Sequence, residues 1–156
     1  MSSNDETRRD ATQALMGAYQ TLIGQGRFDD WIDLWAEDGV LEFPYAPAGR
    51  RRAYRGKAEI LAYMRHATGR VAVDAVDSMR VFPMQDPDIA MVEVSVRGRA
   101  IATDTPYNQS FVMIFELKDG KLHRYREYWN PLATMDAMGG REAWTDGFGF
   151  AEEPAA

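Results

Sequence analysis

Cysteine is absent from the chain, and histidine occurs only as His66 and His123. The first absence excludes disulfides, thiolate nucleophiles, Cys-ligated zinc and iron–sulfur clusters. The second leaves too few imidazoles for a histidine-rich metal site. Lysine is scarce as well, with 3 against 15 arginines, and the 18 basic residues are outnumbered by 24 acidic ones, a net charge of −6. That balance argues against a phosphate-backbone partner, because binding without base contacts needs a basic surface. No stretch approaches the roughly 18 consecutive apolar residues of a membrane-spanning helix. Met1 to Glu6 is polar and acidic, with neither the basic start nor the apolar run of a signal peptide. The expectation is a cytoplasmic protein with no metal, no cofactor, no nucleic-acid partner and no membrane association.

What is present is an ordinary core. The 156 residues are 46% hydrophobic, which suits a single globular domain over 1–156, with 1–6 flexible and 141–156 an irregular tail. Ala11, Leu15, Ala18, Tyr19 and Leu22 recur at helical spacing before Gly24 and Gly26. Asp29 and Asp30 open a second helix with the stripe Phe28, Trp31, Ile32 and Trp35, stopped at Asp38-Gly39. Val40 to Phe43 reads as a short strand, Tyr45 to Arg55 as an exposed loop, and a third helix follows Gly56 with Ile60, Leu61 and Met64 inward. The second half reads as strands over 71–82, 89–99, 107–117 and 121–130, then a short helix from Pro131 to the stop at Gly139-Gly140. Trp144, Phe148 and Phe150 stand among glycines in the tail. Helices first and strands after predict an α+β domain with helices on one face of an antiparallel sheet.

The last two strands carry the most information. In 107–117 the odd positions Tyr107, Gln109, Phe111, Met113, Phe115 and Leu117 form the more apolar face, and in 121–130 the odd set is His123, Tyr125, Glu127 and Trp129. A two-residue Asp119-Gly120 turn sets Met113 opposite Arg126. A three-residue loop with Gly120 in a left-handed bulge sets Met113 opposite Tyr125 and Phe111 opposite Glu127. The second is preferred, because it makes one apolar face and leaves Arg124 and Arg126 outside. Glu127 then lies inward between Tyr125 and Trp129. Desolvation raises the pKa of such a carboxyl, which suits a general acid or base near neutral pH. The plainer alternative is a glutamate paired with an arginine or hydroxyl that only holds the sheet together.

Gly26-Arg27-Phe28-Asp29-Asp30-Trp31 through Trp35-Ala36-Glu37-Asp38-Gly39, then Glu42-Phe43-Pro44, Tyr54-Arg55-Gly56-Lys57, Phe115 to Lys121 and Arg126-Glu127-Tyr128-Trp129-Asn130 together resemble the SnoaL-like members of the nuclear transport factor 2-like superfamily. The last run is similar to the phenazine biosynthesis A/B proteins. The resemblance implies a cone-shaped curved sheet packed against N-terminal helices, an apolar pocket, and a homodimer. It implies that Glu127 stands where the phenazine A/B proteins carry a pocket glutamate, and Tyr19 where ketosteroid isomerase has its oxyanion-hole tyrosine. Phe43 and Met113 replace the two acids of ketosteroid isomerase, so that mechanism is not expected. Tyr63 replaces the pocket histidine of the phenazine A/B proteins, so their imine-forming condensation is not expected either.

The remaining candidates follow from position. His66 lies one turn past Tyr63 and could share its pocket-facing side, although a lone histidine on an amphipathic helix is more often a surface residue. Tyr63, Trp35, Phe43, Phe111, Met113, Tyr125 and Trp129 are expected to wall the pocket, or else to be plain core. Arg50-Arg51-Arg52 reads as a solvated loop that at a pocket mouth could attract an anion. The expected function is a cofactor-independent isomerase, dehydratase or cyclase acting on a small apolar cyclic or aromatic metabolite. Glu127 would transfer the proton, with Tyr19 and His66 as further catalytic groups. The alternative is a non-catalytic ligand-binding or dimerisation module. Val112, Ile114 and Tyr128, among arginines on the outer face of the sheet, are the expected homodimer contact.

Overall fold

The structure, a computed structural model, describes residues 2–48 and 50–143. Trp144, Phe148 and Phe150, and Gly49 in the arginine loop, lie outside the described residues. The first helix, α1 (Ser3–Gly24), starts ahead of its apolar stripe because a capping box forms: the Ser2 hydroxyl accepts from the Asp5 N–H at 3.1 Å and the Asp5 carboxylate accepts from the Ser2 N–H at 3.3 Å. Residues 3–6, expected to be flexible, are therefore helical. The buried stripe is Thr12, Leu15, Met16 and Tyr19, and Ala11 is exposed.

The second helix, α2 (Phe28–Ile32), ends earlier than its periodicity suggests. Trp35 is not on it but opens β1 (Trp35–Glu42), because the Leu122 N–H donates to the Leu34 carbonyl at 2.8 Å and Trp35 pairs with Leu122. Long-range pairing outweighs helical spacing here. The arginine loop yields a three-residue strand, β2 (Ala53–Arg55), before α3 (Gly56–Thr68). Strands β3 (Val71–Pro83), β4 (Ile89–Ala100), β5 (Thr105–Lys118) and β6 (Lys121–Trp129) follow. The short helix α4 (Pro131–Ala137) has Asn130 as its N-cap, accepting from the Leu132 N–H. Arg141 to Ala143, expected to be irregular, are helical.

The six strands form one sheet in the order β2-β1-β6-β5-β4-β3. The expected antiparallel sheet is in fact mixed, since β1 and β6 run parallel. Bulges in β3 between Val73 and Ala75 and between Val76 and Ser78 curve the sheet. Opposite the first, a Cβ on Gly98 would meet the Ala72 carbonyl oxygen at 2.2 Å, so the strands approach closely only because Gly98 has no side chain. Helices α1 to α3 cover the concave face. Trp31, Trp35, Phe115 and Tyr125 are each at most 1% exposed there, and edge contacts between Trp31 and Trp35 and between Phe115 and Tyr125 fix the aromatic centre.

The β5–β6 hairpin settles the question of register in a way neither expected turn describes. Asp119 (φ 53°) and Gly120 (φ 73°) form a two-residue turn that leaves Lys118 opposite Lys121. The register then slips by one residue at His123, between the Leu117–Leu122 and Glu116–Arg124 pairs. Beyond that bulge Phe115 faces Tyr125, Met113 faces Glu127 and Phe111 faces Trp129. Glu127 is thus on the inner face as expected, but across from Met113 rather than Phe111. On the outer face Arg124 pairs with Glu42 at 2.8 Å and Arg126 with Glu116.

Candidate functional site

Between the helices and the concave sheet lies a cavity of about 520 Å³, within the range that encloses a drug-sized ligand. Strand alternation places Tyr125, Glu127 and Trp129 from β6, and Tyr107, Phe111 and Met113 from β5, in its wall. Tyr19 and Gln20 enter from α1, Tyr63 and Met64 from α3, Phe43 from the end of β1, and Thr134 from α4.

At its centre the Tyr125 hydroxyl donates to Glu127 Oε2 at 2.6 Å. The Tyr125 ring stacks on Tyr19 with centroids 5.3 Å apart. Burial pushes the Glu127 carboxyl up to about 7, and the Tyr125 hydrogen bond pulls it partly back. Tyr19, Tyr63, Tyr107 and Tyr125 are all pushed up, chiefly by burial and further by the Glu127 charge. They are therefore neutral donors wherever Glu127 titrates.

A second polar cluster joins β5 to α4. Gln109 is 3% exposed, and its amide donates to the Asn130 carbonyl at 2.9 Å and to Thr134 Oγ1 at 3.3 Å. Its own carbonyl accepts from the Asn130 and Ser110 N–H groups. Thr134 and Tyr107 both line the cavity. Tyr107, Thr134 and Gln20 were not singled out from sequence. Tyr107 shares the inward parity of Met113, so alternation could have found it, whereas Thr134 depends on how α4 folds back.

Glu127, Tyr19, Tyr63, Phe43, Phe111, Met113, Tyr125 and Trp129 all line the cavity. Two expected site residues do not. His66 is exposed on α3 and stands outside the lining, because Tyr63, Met64 and Ala67 take the inward face. Trp35 is 1% exposed and packs edge-on against Trp31 and Tyr125, beneath the wall rather than in it. Arg50 is not solvated as expected: it is 8% exposed and lines, with Arg51, a separate recess of about 20 Å³ behind Phe43, Tyr63 and Trp129. Among the described residues no three His, Asp or Glu side chains converge as metal ligands, and no helix is long and apolar enough to cross a membrane.

A curved sheet wrapped on N-terminal helices around a deep cavity defines the nuclear transport factor 2-like fold. Within that class the chain belongs to the SnoaL-like family, whose domain matches residues 16–125. It is 37% identical over 110 residues to the uncharacterized protein YesE of Bacillus subtilis, covering 70% of this chain and 75% of that protein. To an uncharacterized PhzA/B-like protein of Pseudomonas aeruginosa it is 35% identical over 122 residues, covering 78% and 86%. The crystal structure of a presumed isomerase from Bacillus subtilis superposes with a TM-score of 0.80 at 30% identity, covering 86% of this chain and 96% of that one.

Proposed function

We propose that the protein is a cofactor-independent enzyme of the isomerase, dehydratase or cyclase type, acting on an apolar cyclic or aromatic metabolite. The observation that carries this reading is the Glu127 carboxyl, set in an apolar cavity and brought to about 7 by burial, where both of its protonation states are populated at working pH. The carboxylate removes a proton from carbon next to a carbonyl, and the resulting acid returns it elsewhere on the same molecule. Tyr63 and Tyr107, close enough to Glu127 to feel its charge, donate hydrogen bonds to the enolate oxygen. Tyr19 acts through Tyr125, holding the carboxyl in place.

The test is exchange of α-protons of 2-tetralone in D2O, followed by NMR. Acceleration by the wild type that falls about 100-fold or more in Glu127→Gln supports the mechanism. Undiminished exchange in that variant refutes it. A binding protein is the second reading, favoured by the cavity offering, among the described residues, a single carboxyl. It predicts tight binding of such ketones with no acceleration and with the ligand recovered unchanged.

We also propose a homodimer through the outer face, where a groove of about 600 Å³ runs past Tyr45, Ser110, Val112 and Tyr128. Light scattering at micromolar concentration checks it, with Val112→Arg expected to yield monomer. A cysteine-free chain suits the cytoplasm, and cell fractionation tests that compartment.

A further inference from the structure

Among the described residues, the cavity wall contains Glu127 but no lysine, arginine or histidine. The other polar residues of the described lining are uncharged at neutral pH: Tyr19 and Gln20 from α1, Tyr63 and Thr68 from α3, Tyr107 from β5, Tyr125 and Trp129 from β6 and Thr134 from α4. The walls given by β1, β3 and β4 are Leu41, Phe43, Val71, Val73 and Val96. The most exposed of the described lining residues, Gly24 and Val73, put the mouth between the end of α1 and the start of β3, beside the end of α3. Helix C-termini present backbone carbonyls and the negative end of the dipole. The last turn of α1 carries no basic residue; that of α3 carries Arg65, ion-paired with Asp29 at 2.6 Å, and His66, and neither these two nor Arg70 before β3 enters the lining. The recess that holds Arg50 has room for about one water, not for a carboxylate.

From this we infer that the cavity selects by charge: its ligand is an uncharged carbonyl compound, and carboxylates of the same shape are excluded. The inference rests on the proposed function for the site but concerns binding alone. A neutral ketone or ester loses little on leaving water, and its carbonyl oxygen is met by phenol donors. A carboxylate gives up its hydration, finds no cation and meets the Glu127 charge, so that it enters only by forcing Glu127 to take up a proton. Selectivity against the anion is therefore greatest above pH 7 and smaller below.

Methyl 2-naphthoate and 2-naphthoate form a matched pair, and their binding is measured by calorimetry with the full chain at pH 6 and pH 8.5. The expected result is that the ester binds about 100-fold or more tightly than the acid at pH 8.5. The gap should be several-fold smaller at pH 6. In Glu127→Gln the acid should lose its pH dependence while remaining a weaker ligand than the ester. Equal or tighter binding of 2-naphthoate at pH 8.5 in the wild type overturns the inference. So does tighter binding of 2-naphthylmethylammonium than of the ester, which would make the site a cation receptor. Charge selectivity without α-proton exchange keeps this inference and removes the catalytic reading. Glu127-dependent turnover of a carboxylate substrate does the reverse.

Discussion

Replacing Glu127 by glutamine should make the protein more stable, and only above a definite pH. A carboxyl whose pKa is higher folded than unfolded binds more protons in the folded state, so stability is lost as pH rises from the unfolded pKa to the folded one. For Glu127 those limits are 4.5 and about 7. A tenfold difference in proton affinity corresponds to about 1.4 kcal/mol, so the interval amounts to about 3 kcal/mol, or roughly 2 to 3 once water in the cavity is allowed for. Glutamine keeps the shape and the acceptor for Tyr125 but carries no charge to desolvate. At pH 8 the variant should therefore be about 2–3 kcal/mol more stable than wild type, a rise in Tm of about 5–10 °C for a chain of this size. Near pH 4 the two should be equal within about 1 kcal/mol. Urea unfolding followed by tryptophan fluorescence, at half-unit steps from pH 4 to 8, measures the difference directly. A variant no more stable than wild type at pH 8, or a difference that does not change between pH 4.5 and 7, refutes the reasoning about Glu127.

Three further predictions concern its neighbours. Tyr125→Phe removes the donor at 2.6 Å, so the Glu127 pKa should climb above 7 by about one unit, seen as an alkaline shift in a carboxyl 13C titration; an acid shift would contradict the hydrogen-bond assignment. Trp35→Ala should cost about 3–5 kcal/mol in urea unfolding because it empties the core, whereas Trp129→Ala should weaken naphthoate-ester binding at least as much as it lowers stability. His66→Ala should leave α-proton exchange and ester affinity within about twofold of wild type, and a tenfold loss in either would place His66 in the site after all.

The fold was legible where local chemistry and tertiary pairing agree. Asp29 and Asp30 at the start of α2, Pro131 at the start of α4, and the alternation of β5 and β6 all read the same locally and in the assembled sheet. The reading failed where they compete. Trp35 continues a helical stripe, yet it pairs with Leu122, which lies 87 residues later in the chain, and no local window contains that partner. His66 sits at a spacing compatible with Tyr63, but 13 residues of helix do not say which side meets the cavity. The parallel β1–β6 pairing and the burial of Arg50 depend on the loop and helix that intervene, and Thr134 enters the site through the fold-back of α4. For the same reason Glu127 was found and Thr134 was not: one is placed by a strand's two-residue repeat and the other by a tertiary path.

The bulge at His123 corrects the phase of the hairpin. The two-residue tip alone would bring Arg126 to the inner face, and one unmatched residue restores Glu127 to it. What faces the cavity is therefore decided by chain length as much as by residue identity. A single residue inserted after Arg124 would carry Arg126 into the slot now held by Glu127, turning an acidic chamber into a basic one without altering any residue of its ceiling. Relatives that differ by one residue in this hairpin could thus differ in the sign of the charge they present, and comparing their lengths between Gly120 and Trp129 is as informative as comparing their residues.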